Sequence, residues 1–297
     1  MTKTFFGVPW SKTIAALAIA LSACSLLCGY EFIRSVSQSL YIEAYGADRL
    51  PLVMTLAPVG TLLLIYGYGV LLSFAGAKRA IFYTSFLSGL AILACYLAIN
   101  VGSRIATAFL YVFREAYIVL LIEQVWAFIN STVRRDEGSR LNGPICGVAS
   151  LGAIAGGLVV QHYAKVIGSA NLLVFAAISL IPTGVLAAWA YRVGGEPTPA
   201  PEEVRGKQGH LGMGVLFRSG TLTRLAMLIA LTQVVSTVLD LQLSRWVEQG
   251  IPDVDERTRW FGGFYAQLNT GSAFFQFVAA PLLLSLVPLR LIHVAIP

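Results

Sequence analysis

The sequence predicts an all-α polytopic membrane protein, and two observations carry that prediction. Hydrophobic residues make up 57% of the 297 residues and charged residues only 12%, whereas a soluble domain carries roughly 25% charged residues. The apolar residues form continuous runs without the period-two alternation of an outer-membrane β-barrel. Because a helix satisfies its own backbone hydrogen bonds in lipid, we expect these runs to cross the bilayer as helices.

Eight apolar runs are long enough to cross a hydrocarbon core of about 30 Å, which takes about 20 helical residues. The first run lacks a small-x-small cleavage site and carries Glu31 and Arg34, so we expect a helix and not a signal peptide. A ninth run begins at Leu289 and stops at Pro297, too short to cross, which predicts a truncated chain. The eight runs cover residues 14–41, 52–74, 80–99, 105–130, 142–167, 171–191, 222–243 and 261–286.

The distribution of basic residues predicts the orientation of the chain. Placing the N-terminus in the cytoplasm puts most of the 21 Lys and Arg residues on the inner side, as the positive-inside rule requires. We therefore expect a multi-pass protein of the inner (cytoplasmic) membrane with a cytoplasmic N-terminus. This bias, together with attraction to anionic lipid headgroups, explains the net charge of +6. The lipid bilayer is thus a predicted partner, and nucleic acid is not.

Cysteine and histidine give no indication of a metal or a cofactor. All four cysteines lie inside apolar runs, where they are expected to pack as small hydrophobic side chains, and no CxxC motif occurs. The three histidines are scattered between loops and the tail. The sequence also lacks the HExxH, GxSxG and Walker A motifs. We therefore expect no metal site, no cofactor and no enzymatic activity.

A polar segment divides the chain into two parts. Residues 192–220 contain Pro197, Pro199 and Pro201 in alternation and then a basic, glycine-rich stretch, which is typical of a flexible cytoplasmic linker. The segment separates a six-helix half, residues 1–191, from residues 221–297, which hold two helices and the start of a third. This plan matches a major facilitator-type helical bundle with a complete N-terminal half and a partial C-terminal half.

The fifth run is rich in small residues at helical spacing. Gly143 and Gly147 form one small-xxx-small step, and Gly152 and Gly156 form a second. Such steps let two helix backbones approach closely in a membrane. We expect these four glycines to serve helix packing rather than direct contact with a substrate.

Several stretches resemble known transporters. Residues 69–79 resemble the motif that major facilitator transporters carry between their second and third helices, with Lys78 at a matching position and Ser73 in place of the acidic residue. Residues 32–51 are similar to the first-helix signature of the nucleotide (ATP/ADP) translocase family of plastids and intracellular bacteria. In that family a Lys-Asp pair of this signature helps to hold the phosphates, and Ser37 and Gln38 stand at its position here.

The resemblance to the nucleotide translocases continues in the later helices. Residues 111–141 are similar to the family's fourth helix, and residues 237–271 to its seventh and eighth helices, with Asp240 at the position of a family glutamate. The resemblance implies a twelve-helix exchanger that moves adenine nucleotides against each other. The residues that match the fourth-helix pattern are Glu115, Trp126, Phe128, Asn130, Glu137 and Arg140.

Ionisable residues lie in the middle of only three apolar runs, the first, the fourth and the seventh. An ionised group at mid-bilayer costs roughly 2.5 to 3.5 kcal/mol, so these side chains must be paired or hydrated. In the arrangement that the resemblance implies, these same helices line a central cavity. The residues are Glu31, Arg34, Arg114, Glu115, Glu123 and Asp240.

The spacing of these residues predicts their partners. Glu31 and Arg34 are three residues apart on one helix face and are expected to pair. Arg34 is either a cation for substrate or gating, or one half of a structural ion pair. Arg114 points about 100° away from Glu115, so we expect these two side chains to contact different neighbours. Glu31 or Glu123 is then the expected partner of Arg114.

Further candidates come from the fourth and seventh helices. Glu115 and Trp126 share a helix face within about 20°, and Trp126 either packs in the core or stacks on an adenine base. Asp240 is either functional or a snorkelling or capping residue. The predicted substrate-binding residues are Arg34, Glu115, Trp126, Asn130 and Asp240. The predicted gating or ion-pair residues are Glu31, Arg114, Glu123, Lys78, Glu137 and Arg140.

Together these features predict a secondary active transporter that works by alternating access on a small anionic solute. ATP/ADP exchange is the version that the resemblance implies. A proton-coupled major facilitator transporter of another small organic solute or drug is the first alternative. A truncated, non-transporting membrane protein is the second. A missing C-terminal segment or a second chain is a predicted partner, since it would complete the second half.

Overall fold

The computed structural model describes residues 4–5, 8–132, 135–196 and 219–282, with side chains for residues 9–132, 141–196 and 219–282. Within these ranges the chain is almost entirely helical. A two-residue antiparallel pair, β1 (Thr4–Phe5) with β2 (Val8–Pro9), precedes the first helix. The helices are α1 (Trp10–Tyr45), α2 (Leu50–Ala75), α3 (Ala77–Asn100), α4 (Arg104–Thr132), α5 (Arg135–Ile167), α6 (Leu172–Gly194), α7 (Gly220–Gly250) and α8 (Val254–Phe274).

Seven of the described helices, α1 to α7, are long and apolar enough to cross a membrane. The chain is therefore an integral, multi-pass helical membrane protein, as its composition predicted. Helix α8 covers most of the eighth predicted run but does not count among these seven, because its first turns carry Asp255, Glu256, Arg257 and Arg259. It continues through a π-helical turn at Phe275–Ala279. The last residues of the predicted run, 283–286, lie outside the described residues.

Local sequence explains where the helices begin and end. Helix α1 stops at Gly46 and α2 at Gly76, whose φ angles of 80° and 75° fall in the left-handed region that favours glycine. Pro51 occupies the first turn of α2, where its missing N–H costs no helical hydrogen bond. At the start of α8 the Asp253 carboxylate accepts a hydrogen bond of 2.8 Å from the backbone N–H of Glu256, an N-cap.

Helix α1 lies at the centre of the bundle. It packs against α4, α5, α6 and α8, while α4 also packs against α2 and α3, and α3 packs against α6. Helices α1–α3 and α4–α6 thus form two three-helix units that exchange partners. Helix α1 packs on the second and third helices of the later unit, and α4 packs on the second and third helices of the earlier unit. The largest hydrophobic cluster lies between α1, α4 and α6 and includes Leu26, Ile33, Leu121 and Leu180.

The bundle has two ends that differ in their contacts. The loop end holds the connections at residues 46–49, 101–103, 168–171 and 251–253, and the linker end holds Gly76, residues 195–196 and Ser219. Helix α7 is buried only near the loop end, at Ser244 and Val247, and residues 220–239 include no buried residue. Most of the predicted linker, residues 197–218, lies outside the described residues.

Candidate functional site

The first charged pair lies on α1 and faces α8. Arg34 Nη1 is 3.8 Å from Glu31 Oε1, and the same carboxylate oxygen accepts a hydrogen bond of 2.8 Å from Asn269 Nδ2. The other oxygen, Glu31 Oε2, is buried and has no hydrogen-bond partner among the described residues. The Arg34 guanidinium stacks over Tyr265, 3.7 Å from the ring centroid, and its side chain is 27% exposed. Arg34 is therefore only loosely held by the protein.

Arg114 of α4 is bonded on every side. Its Nη1 donates to the backbone oxygen of Arg34 at 2.6 Å and to Ser37 Oγ at 2.9 Å, and its Nη2 donates to Gln38 Oε1 at 2.7 Å. Its Nε donates to Glu115 Oε1 at 3.0 Å. A guanidinium has five N–H donors, and the residue is only 2% exposed. Arg114 thus joins α4 to α1 and has little left to offer a solute.

This geometry corrects the expected partners of Arg114. The expectation that Arg114 and Glu115 contact different neighbours is wrong, since the two side chains form an ion pair of 3.0 Å. Among the described residues, the hydrogen bonds of Arg114 go to α1 and Glu115 and not to Glu31 or Glu123. The 100° between neighbouring helix positions describes where side chains start, and a long guanidinium side chain folds back far enough to reach the next residue.

Two further carboxylates lie at the rim of this arrangement. Glu115 is 39% exposed. Asp240 of α7 is half-buried and has no hydrogen-bond or ion-pair partner in the part of the chain that the structure describes. Ser244, one turn further along α7, accepts a hydrogen bond from Gln38, which itself accepts one from Arg114. This contact brings Asp240 near the two arginines, with which it interacts electrostatically. Asp240 therefore belongs to the same electrostatic environment as the two arginines, although it sits on a helix from beyond the linker.

The structure thus brings together five ionisable side chains from α1, α4 and α7, which we call the charge cluster: Glu31, Arg34, Arg114, Glu115 and Asp240. Aromatic rings surround it. The centroid of the Tyr111 ring lies 3.9 Å from Arg114 Cζ, and that of Tyr30 lies 5.9 Å from Arg34 Cζ. Guanidinium and carboxylate groups beside apolar rings are suited to binding small charged solutes.

The remaining fourth-helix candidates lie outside the charge cluster. Trp126 lines a separate cavity of about 200 Å³ between α1, α4 and α5, which Gln276 also borders. It is about 16 Å from Glu115 along the helix axis, since each residue rises 1.5 Å. Glu123 and Asn130 are exposed. A shared helix face therefore did not mean a shared site.

The other predicted gating residues lie at the linker end or outside the described side chains. The backbone N–H of Lys78 donates to Glu196 Oε1 at 3.0 Å, which ties the start of α3 to the end of α6. Glu137 and Arg140 lie in α5, but their side chains are outside those that the structure describes.

The four glycines of α5 fall into two groups. A methyl group added to Gly152 or Gly156 would overlap the backbone carbonyls of Cys24 and Cys28 on α1. At Gly147 the same addition would make an ordinary contact of 3.7 Å with Phe277, and at Gly143 it would meet no described atom within 4 Å. Only the second small-xxx-small step therefore lies in a close helix crossing.

Sequence reasoning missed the polar and aromatic residues that complete the site. Gln38 Nε2 donates to Ser244 Oγ of α7 at 2.8 Å, while its Oε1 accepts from Arg114. Gln38 is one turn beyond Arg34, at the position where the resemblance places a phosphate-holding residue, so a signal for it was present. Tyr265 and Asn269 carry no comparable signal, because their role depends on how α8 is aligned with α1.

At the loop end, α7 and α8 are tied to α1 and to the connection that follows it. Arg245 Nε lies 2.8 Å from Asp48 Oδ1, and the backbone N–H of Ala47 donates to Glu248 Oε2 at 3.0 Å. Arg257 is buried and its Nη1 donates to the backbone oxygen of Ser39 at 3.3 Å. These contacts hold the ends of α7 and α8 against the first helix and its following connection.

Helix α8 is tied to α5 at the same end. The Ser169 hydroxyl and backbone N–H both donate to Asp255 Oδ1, at 2.6 Å and 2.7 Å. Lys165 Nζ lies 2.6 Å from Glu256 Oε2, and this hydrogen-bonded cation lowers the pKa of the Glu256 carboxyl. The loop end therefore holds α7 and α8 against the six-helix unit through polar groups.

Fold and site together define a multi-pass helical membrane protein with a partly buried charge cluster, to which α1, α4 and α7 contribute. No protein-family model matches the chain, and no curated protein or solved structure matches it either. Its function is therefore inferred from the contacts of its own residues.

Proposed function

We propose that the chain is a secondary active transporter that works by alternating access, with its solute bound at the charge cluster. The observation that carries this proposal is the convergence of ionisable side chains from α1, α4 and α7 on one place at membrane depth. Ionisable groups inside a membrane are expensive and mark solute or ion pathways. Helix packing alone would not require such groups from three separate helices to face each other.

The packing of the first six helices supports a major facilitator-type arrangement. Each half of such a transporter contains two inverted three-helix repeats. Here α1 packs on α5 and α6, and α4 packs on α2 and α3, which is the exchange of partners expected of two repeats related by a pseudo-two-fold axis. Helices α7 and α8 then belong to the second half, and the charge cluster lies at the boundary between the halves.

The difference between the two ends supports alternating access. Polar contacts tie α7 and α8 to the connections that follow α1 and α5 at the loop end, whereas residues 220–239 of α7 include no buried residue. In this proposal, with the N-terminus predicted to be cytoplasmic, the tied loop end faces outside and the linker end faces the cytoplasm. Transport would require the loop-end contacts to break while the linker end closes.

Arg34 is the residue proposed to attract the anionic group of the solute. It is partly exposed, and its ion pair with Glu31, the one found among the described residues, is 3.8 Å long, so a carboxylate or phosphate can form a shorter, bidentate pair with its guanidinium. ATP/ADP exchange is the version of this function that the sequence resemblance implies. Proton-coupled transport of another small solute is the second candidate, favoured by the exposed Glu115 and the unpaired Asp240 in the described part of the chain.

Opening of the loop end tests alternating access without knowledge of the solute. In the full chain with its four native cysteines replaced by alanine, Ser244→Cys introduces a thiol at a position that is fully buried at the loop end. We expect slow labelling by a membrane-impermeant maleimide added from the loop-end side in folded protein. Complete protection over hours, with normal labelling after unfolding, would contradict the proposal.

Transport assays test the solute side of the proposal. In proteoliposomes, labelled ATP uptake against internal ADP is compared with uptake of labelled small solutes driven by a proton gradient. Arg34→Gln should abolish saturable uptake, whereas Arg104→Gln, which removes an exposed cation at the start of α4, should leave it intact. Equal uptake by both variants would remove Arg34 from the site.

A further inference from the structure

We propose that the charge cluster selects a zwitterionic solute, which places an anionic group on Arg34 and an ammonium group on Asp240. This inference rests on the proposed transport function and names the class of solute for the same site. A free amino acid has the required chemistry, with one carboxylate and one ammonium group on a small frame.

The charges of the cluster do not suit a polyanion. Three carboxylates, on Glu31, Glu115 and Asp240, face the two guanidinium groups of Arg34 and Arg114. A nucleotide brings several negative charges on its phosphates, and like charges placed side by side are repelled strongly when water is excluded. A zwitterion brings no net charge, so binding it leaves the balance of the cluster unchanged.

The two arginines are not equally available to a solute. Arg114 already donates hydrogen bonds from Nε, Nη1 and Nη2 to protein acceptors and is 2% exposed. Arg34 has one ion pair of 3.8 Å, is 27% exposed and is backed by the Tyr265 ring. The cluster therefore offers one guanidinium, which matches a solute with one anionic group and not a chain of phosphates.

The carboxylates differ in the same way. Glu31 is 3% exposed and bonded to Asn269, and Glu115 is paired with Arg114. Asp240 is half-buried and has no hydrogen-bond or ion-pair partner among the described residues. A half-buried carboxylate without a protein partner keeps its oxygens available to a charged hydrogen-bond donor. An ammonium group from the solute supplies both the charge and the donors.

The positions of the two available groups give the zwitterion a role in closing the site. Arg34 lies on α1 in the six-helix unit, and Asp240 lies on α7, beyond the linker. A solute with both charges can pair with the two helices at once, whereas a simple anion or amine pairs with only one. Binding then draws the exposed part of α7 towards α1, a change that favours the state with the linker end closed.

Thermal-shift measurements on the purified full chain test the proposal with matched probes. Three pools are compared at equal concentration: the twenty common amino acids, the corresponding 2-oxo acids, which lack the ammonium group, and the corresponding amines, which lack the carboxylate. ATP and ADP form a fourth probe. We expect the amino-acid pool to raise the melting temperature saturably and the other probes to have little effect.

Variants assign the two charges of the solute. Asp240→Asn should weaken the response to the amino-acid pool by about 10- to 100-fold in apparent affinity, the range expected for one charge-assisted hydrogen bond, and should bring its response to the 2-oxo acids closer to that for amino acids. Arg34→Gln should also weaken the response to the amino-acid pool, and it should bring the response to the amines closer to that for amino acids. Arg224→Gln, which removes an exposed charge from the same helix as Asp240, serves as the control and should respond like the natural chain.

The outcomes separate this inference from the transport proposal. Stabilisation by ATP or ADP, by 2-oxo acids as strongly as by amino acids, or by none of the pools would overturn the zwitterion inference. Each of those results leaves alternating access to be judged by labelling of Ser244→Cys. If that thiol is protected from maleimide labelling in every condition, the transport proposal is wrong, whatever binds to the charge cluster.

Discussion

Helix α1 packs closely against α4 and α5 but makes few contacts with α7. Its contacts with α4 and α5 are tight, because Arg114 is bonded to Ser37 and Gln38 and the glycines of α5 lie against its backbone. Its contact with α7 is sparse. Gln38 of α1 donates a hydrogen bond of 2.8 Å to Ser244 of α7, but residues 220–239 of α7 include no buried residue.

The difference separates a rigid unit from a boundary that can move. Contacts without room for an extra methyl group hold one arrangement of helices, whereas polar contacts between partly exposed groups can break and re-form at little cost. The proposed transport function needs both, since a carrier rocks one rigid unit against another around a site. Substitutions at the tight contacts should therefore lower the stability of the protein more than substitutions at the exposed contacts.

Replacing Arg114 with methionine should cause the largest loss of stability. The substitution keeps an apolar stem of similar length but leaves the Gln38 and Arg34 acceptors in the α1–α4 contact without their donor. Buried acceptors that lose a partner cost about 1–3 kcal/mol each, so we expect a loss of about 3 kcal/mol in the free energy of unfolding. Unfolding of the purified protein by SDS in mixed micelles measures it. A loss below about 1 kcal/mol would mean that Arg114 is no more tightly held than Arg34.

Substitutions of α5 glycines compare a close crossing with an open position on one helix. Gly152→Ala places a methyl group where it overlaps the backbone of Cys24, so α1 and α5 must separate, and overpacking of this kind costs about 1–3 kcal/mol. Gly143→Ala meets no described atom within 4 Å and gains helix propensity. The same unfolding measurement should rank Gly143→Ala at or above the natural chain and Gly152→Ala well below it. Equal losses would remove the distinction.

Loop-end contacts should contribute much less to stability and more to opening. Asp48 and Arg245 form an ion pair of 2.8 Å in which the side chains are 83% and 47% exposed, and exposed pairs contribute about 0.2–1 kcal/mol. A double-mutant cycle with Asp48→Asn and Arg245→Gln should give a coupling within that range. Arg245→Gln should also speed the labelling of Ser244→Cys. If Arg245→Gln slowed the labelling of Ser244→Cys, or if the coupling exceeded about 2 kcal/mol, the Asp48–Arg245 pair would be a rigid contact like those of α1 with α4 and α5.

Much of the fold could be predicted because hydrophobic runs and charge costs are local properties of the sequence. Six of the first seven predicted runs lie within a described helix that can span a membrane, and the sixth begins one residue before its helix. The spacing of Glu31 and Arg34 predicted their ion pair. The cost of charges in lipid also explains why residues of α1, α4 and α7 should meet.

Other features of the site depend on how helices are aligned with each other, which periodicity does not contain. Trp126 shares a helix face with Glu115, yet it lines another cavity, because a helix face says nothing about position along the axis. The pairing of Arg114 with Glu115 depends on the reach of the side chain rather than its direction. Tyr265 meets Arg34 only through the packing of α8 against α1.

The smallest expected effect is a pH dependence at the boundary between α5 and α8. Lys165 lowers the pKa of Glu256 below its ordinary value of 4.5, so the carboxylate stabilises the folded protein at pH values above about 4.5 and this contribution is lost as the pH falls further. The melting temperatures of the natural chain and of Glu256→Gln should therefore differ slightly at neutral pH, and the difference should shrink below pH 4.5 and at high salt. Lys165→Gln should reduce the same pH-dependent difference without abolishing it, because Arg259 still lies 3.2 Å from Glu256. A gap between the natural chain and Glu256→Gln that persisted unchanged at low pH would mean that Glu256 acts through packing and not through its charge.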